Sequence, residues 1–143
     1  MAILNYSTSI SVDKTMSEIQ TILIKHGASK IIFDYEQGIP TNLTFMCSFK
    51  GEIALFSLPC RFAGVLKVMT KQKVDSRYRN QAQAHRTAWR ILKDWILAQM
   101  AIVEAEMAEL PEVFLQYGVT RNGERLYDYI KSLDKNNSPL MLN

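Results

Sequence analysis

Apolar and polar positions alternate strictly at the start of the chain, where Leu4, Tyr6, Thr8, Ile10 and Val12 are interleaved with Asn5, Ser7, Ser9 and Ser11. A period of two is that of a strand with one buried face, so a first strand is expected over 4–12. Thr15-Met16-Ser17-Glu18 has the spacing of a capping box, in which the hydroxyl takes an early helix amide and the carboxylate reaches back. Ile19, Ile22 and Leu23 follow at helical intervals, and Gly27 suits a left-handed helix stop. Three further strands are expected over 30–35, 42–50 and 52–58. Leu43, Phe45, Cys47 and Phe49 share one face of the middle one. Lys50-Gly51 predicts a tight hairpin, and 36–41, with Gly38 and Pro40, a looser connection.

Beyond Pro59 the period becomes helical. Phe62, Val65, Leu66 and Met69 predict a short helix with Lys67 and Lys71 on its other side, and 73–76 is a polar joint. A long helix is expected over 77–107, ending before Pro111. Alternation over 112–119 predicts a short strand, Arg121-Asn122-Gly123 a turn, 124–133 a last helix, and 138–143 a loosely docked tail. The expected fold is a single α+β domain over 1–143: a strand, a helix and a three-strand meander in 1–60, a basic helical segment in 61–110, and a short strand, helix and tail in 111–143. Its sheet is mainly antiparallel and packs against the long helix.

Within that helix Ala84, Ala88, Ile91, Trp95, Ala98 and Ile102 fall within about 40° of one line, which marks the expected core face. Arg79, Arg86, Arg90 and Lys93 fall within about 40° of the opposite line and form a stripe roughly 20 Å long. Trp89 sits beside the stripe, one turn from Arg86 and from Lys93, and His85 is on the same flank. After Asp94 the helix is apolar nearly all round (Leu97, Met100, Ala101, Ile102, Val103, Met107), as expected for a surface covered by a second copy or by a deeper core.

Composition restricts the class. The chain has 143 residues, 48% hydrophobic and 22% charged, with a mean hydropathy of −0.08. These values exclude a disordered tail and an integral membrane protein, and give one domain enough apolar mass for a core. Two cysteines cannot build a disulfide framework or a four-thiolate zinc site. The first residues have no basic n-region or long apolar run, so a cytoplasmic protein with reduced thiols is expected and the sequon Asn42-Leu43-Thr44 goes unused.

Charge adds an address. The net +3 conceals a segment, 61–100, with nine basic residues against two acidic ones, flanked by stretches of net −1 and −3. Arginines suit bidentate pairing with phosphate, and an indole face accepts any base, so the pattern predicts nucleic-acid binding, chiefly to single strands. Arg79, Arg86, Arg90 and Lys93 would contact phosphates, Trp89 would stack, and Lys67, Lys71, Lys73 and Arg77 would extend the track. The expected function is that of a non-enzymatic, homo-oligomeric nucleic-acid-binding protein. Alternatively, the same arginines would dock an acidic host protein or a cyclic-nucleotide signal, as in an anti-defence protein.

Catalytic patterns are sparse. No Cys-x-x-Cys or His-x-x-x-His spacing and no glycine-rich phosphate loop occurs, so neither a metal nor a cofactor is expected. A small hydrolase would need Cys60 or Cys47 paired with His85 or His26, and the alternation places Cys47 on a core face. Glu104, Glu106 and Glu109 read as a solvated helix end, and His26 as a helix C-terminal residue favoured by the dipole.

The run Arg86-Thr87-Ala88-Trp89-Arg90-Ile91-Leu92-Lys93-Asp94-Trp95, with Gln99 behind it, resembles a helix of small uncharacterised proteins from phages and bacterial mobile elements. The similarity extends from the capped first helix through Leu58-Pro59 to Val113-Phe114-Leu115. It implies a setting in phage or mobile-element DNA metabolism and no particular activity. The order strand–helix–three strands–helix is also similar to that of the double-stranded-RNA-binding domain, whose Lys-Lys-x-Ala-Lys helix start is absent here. It resembles too the sheet-plus-helix core of phage single-strand annealing proteins, which set a basic groove beside a helix.

Overall fold

A computed structural model describes residues 1–141. The expected tail is described as far as Met141, with 139–141 exposed; the remainder of it, 142–143, lies outside the described residues. The fold is α+β, with a three-stranded antiparallel meander in the order β1-β2-β3. Helix α1 (Val12–Lys25) precedes strands β1 (Lys30–Glu36), β2 (Ile39–Phe49) and β3 (Glu52–Pro59). Helices α2 (Ala63–Lys71), α3 (Gln81–Glu104), α4 (Leu110–Val113) and α5 (Leu126–Ser132) follow, with single 3₁₀ turns at Ser76–Tyr78 and Leu115–Tyr117.

The meander forms where alternation and turn chemistry agree. Leu43 lies between Phe33 and Leu58, and Phe45 between Ile31 and Phe56, so one face of the sheet is a continuous apolar surface. Lys50-Gly51 closes the second hairpin with both residues at positive φ (54° and 76°), the left-handed conformation a two-residue primed turn requires. The first hairpin is equally tight: Gln37 and Gly38 adopt φ 52° and 78°, in place of the looser connection expected over 36–41. Pro40, which has no donor for the ladder, is accommodated by a register shift at Asp34/Tyr35.

The expected strand over 4–12 does not form. Its polar side chains compete with strand pairing: Thr8 accepts from the Ile10 amide and Ser11 caps α1 by accepting from Lys14 N–H, while Asn5, at positive φ, donates to the Asp94 carboxylate of α3 (2.8 Å). The segment lies against α3, whose Thr87 donates to the Asn5 carbonyl (3.1 Å) and whose Gln83 donates to the Tyr6 and Thr8 carbonyls (2.8 and 2.9 Å). The cap therefore falls four residues before Thr15, which is buried inside α1.

Helix α3 is shorter than expected, because Ser76–Tyr78 forms a 3₁₀ turn and Asn80 caps the helix through Gln83 N–H. It ends at Glu104, well before Pro111: Glu106 turns left-handed and Met107 N–H closes onto the Ile102 carbonyl, a Schellman-type stop. Pro111 instead lies in the first turn of α4. Residues 112–117 are helical and 3₁₀ rather than extended, and Phe114, not Leu115, enters the core. Its ring packs edge-on to Phe45 and to Trp95. Strand-like pairing there is confined to single bridges, Phe56 to Gly118 and Val119 to Arg125.

Candidate nucleic-acid interface

The expected stripe on α3 is not a free basic surface. Trp89 is 0% exposed; its ring leans on Phe33 and its Nε1–H donates to the Pro40 carbonyl at 3.2 Å, so no base can stack on it. Arg90 is ion-paired with Glu18 of α1 and donates to the Thr15 hydroxyl, which leaves its side chain 12% exposed. Arg86 donates through Nε and Nη2 to Gln83 Oε1 (3.0 and 2.6 Å). The Lys93 side chain is largely buried, 3.8 Å from Asp94. Arg79 falls outside the helix altogether.

The physical reason is a broader buried surface than one apolar line. The first half of α3 is enclosed by α1, by α2 and by the N-terminal segment, so Gln83, His85 and Thr87 are buried along with Ala84, Ala88 and Trp89. Ile91 and Trp95, placed on the core face by periodicity, are only partly buried, and Ala98 is exposed. In the second half Ile96 and Met100 turn inward, while Leu97 is 46% exposed and Ala101 is exposed.

The remaining expected cations gather elsewhere. Lys67 and Lys71, one turn apart on α2, are exposed, as are Lys73, Arg77 and Arg79 in the segment that leads into α3. Five cations thus lie within 67–79 against a single acid, Asp75. This corner is held from beneath by Met69 and Val74, both in the core. The Ile3 amide donates to Gln72 Oε1 (2.8 Å), and the Tyr6 and Tyr78 rings meet edge-on at 5.6 Å. Asp75 accepts from Arg77 N–H as it caps the 3₁₀ turn, and it also lies 3.6 Å from the Arg77 guanidinium, which covers the Tyr78 ring. Lys73 adopts φ 56°, a left-handed residue at the corner's apex.

The candidate nucleophiles are not assembled. Burial pushes the Cys60 thiol up to about 12 and raises that of Cys47. Neither ring nitrogen of His85 has a hydrogen-bond partner, so no Cys–His pair exists there among the described residues. His26 is bonded to the Ile22 carbonyl and to Glu104 (2.8 and 2.7 Å). Glu109 and Glu112 are occupied in the capping box of α4. Among the described residues, no group of three or more His, Cys, Asp or Glu side chains is placed to hold a metal, and no helix is long and apolar enough to cross a membrane.

A cavity of about 450 Å³ opens where α1, α2 and α3 begin, lined among others by Ser11, Val12, Ile39, Phe62, His85 and Arg86. His85 is 8% exposed, and burial lowers its pKa, which favours the neutral ring. Phe62 packs edge-on against it at 5.1 Å. Position on the helix flank gave no sign of this cavity, since its walls come from four separate parts of the chain.

No family model, curated protein or solved structure matches the chain.

Proposed function

We propose that the chain is a nucleic-acid-binding protein that grips the phosphate backbone through the corner formed by the end of α2 and the turn leading into α3. The supporting observation is the run of Lys67, Lys71, Lys73, Arg77 and Arg79, all exposed on a buried framework, with Asp75 the single acid within 67–79. Charges of one sign on a fixed surface attract a polyanion and release its counterions on binding. With Trp89 inside the core, base stacking no longer supports a single-strand preference. The proposed mode is backbone contact independent of base identity. Phage or mobile-element DNA metabolism, the setting implied by the 86–95 helix, belongs to the same proposal.

Self-association is a narrower expectation than periodicity alone implied, because Ile96 and Met100 are buried within one chain and only the side bearing Leu97, Ala98 and Ala101 is left open. Light scattering gives the subunit number directly. The function is tested by fluorescence anisotropy with labelled single- and double-stranded oligonucleotides at about 50 mM salt, where binding through this many contacts should be strong. An anisotropy rise that collapses by 200 mM salt supports the proposal. No rise with either oligonucleotide overturns it, and capture of an acidic protein in its place would assign the corner to a protein partner.

A further inference from the structure

The two edges of the meander differ. The outer edge of β3 is covered, because Val119 N–H donates to the Leu55 carbonyl (2.9 Å) and Gly118 bridges to Phe56. The other edge is β1. Among the described residues, no backbone hydrogen bond joins 30–36 to any element but β2. An open row of strand N–H and C=O groups is a template for a further strand.

The side chains of this edge specify which strand fits it. Its regular ladder runs from Lys30 to Asp34, where a register shift interrupts the pairing with β2. Ile31 and Phe33 are half-buried and pack against the core, whereas Lys30, Ile32 and Asp34 are exposed on the opposite face. Neither Lys30 nor Asp34 belongs to an ion pair among the described residues. Asp34 accepts only from Asn42 Nδ2, at 3.1 Å. The two charges are thus opposite in sign, on one face, and equally far from Ile32, which is 39% exposed between them.

We propose that β1 pairs antiparallel with β1 of a second copy, about a two-fold axis at Ile32, joining two three-stranded meanders into one continuous sheet. With the axis there, Lys30 of each copy faces Asp34 of the other and Ile32 faces Ile32. On the core face Ile31 meets Phe33, so charge meets opposite charge and apolar meets apolar throughout. Moving the axis to Phe33 would set Ile32 against Asp34, and moving it to Ile31 would set Lys30 against Ile32. Moving it between residues would turn the two core faces to opposite sides of the sheet. Charges at the ends of an edge strand ordinarily discourage pairing; here they select one register and one partner. None of the corner cations lies in β1, so this interface stands or falls apart from the nucleic-acid reading.

Charge reversal in the full-length protein tests the register. Sedimentation velocity at about 100 µM, a concentration suited to a modest interface, should find wild-type dimers. Lys30→Asp sets an acid opposite Asp34 of the second copy, and Asp34→Lys sets a base opposite its Lys30. Symmetry counts each clash twice, so either variant alone should associate at least about tenfold more weakly. An equimolar mixture of the two restores opposite charges at both ends and should dimerise about as well as the wild type. Circular dichroism melts establish that both variants are folded. A wild type that stays monomeric overturns the proposal and leaves the edge to a strand of another protein. Dimers that both variants retain overturn it too, as association through the α3 side bearing Leu97 would produce. Folded variants that remain monomeric when mixed contradict the pairing of Lys30 with Asp34.

Discussion

Arg90 of α3 is ion-paired with Glu18 of α1 across the seam between the two helices, and the Thr15 hydroxyl accepts a further bond from the same guanidinium. Two residues that look like surface charge in the sequence thus hold two helices in register. Arginine stems cover apolar surface while the head is paired, so loss of either member removes packing as well as charge.

Arg90→Met should therefore destabilise the fold by about 1–3 kcal/mol, since it leaves the Glu18 carboxylate facing the seam without its cation. Urea unfolding of Arg90→Met, Glu18→Gln and the double variant checks this. The double variant should cost less than the sum of the two single ones. Strict additivity would show that the pair is not coupled.

Trp89 should behave as a core residue. Trp89→Ala is expected to cost about 3–5 kcal/mol in unfolding free energy, by cavity creation and by loss of the donor to Pro40. Trp89→Phe, if folded by circular dichroism, should bind oligonucleotides with wild-type affinity. A selective loss of binding in a folded Trp89→Phe would return the indole to the interface.

The meander and the helix–meander–helix order were legible because each rests on one local rule. Leu43, Phe45 and Cys47 alternate inward, and Lys50-Gly51 can adopt the positive φ values its turn needs. The first strand does not form because alternation reports side-chain chemistry only, and the Thr8 and Ser11 side chains offer the backbone nearer partners than a sheet, while Asn5 turns left-handed and bonds to Asp94 of α3. The stripe was misread for a different reason. A helical wheel finds one buried line, but the first half of α3 is covered from three sides, and a guanidinium such as that of Arg90 can be buried when a carboxylate from another helix meets it. The cations of 67–79 were legible as charge, but their separation from Arg86, Arg90 and Lys93 depends on the 3₁₀ turn and on the Asn80 cap that begins α3.

His85 gives the stability a pH dependence of defined sign. Its folded pKa lies below the usual value of 6.5, so between these two values the unfolded chain binds more protons than the native one. Its contribution is fully present above about 6.5 and is lost as pH falls through that value toward the folded pKa, with a slope of at most about 1.4 kcal/mol per pH unit. Unfolding midpoints at pH 7.5 and 5.5 should differ more in the wild type than in His85→Leu, which removes the group without orphaning a partner. Equal differences in the two proteins would contradict the assignment.

The most direct measurement of the central claim is the salt dependence of oligonucleotide binding in three proteins: wild type, Lys67→Ala/Lys71→Ala/Lys73→Ala, and Arg90→Met. Five single-strand phosphate contacts predict a slope of log affinity against log salt near −3.5 for the wild type, because each contact contributes about 0.7. Removing three lysines should bring the slope to about −1.4, while Arg90→Met should keep the wild-type value. A slope unchanged by loss of the three lysines, or one that falls only in Arg90→Met, would contradict binding through the α2 corner.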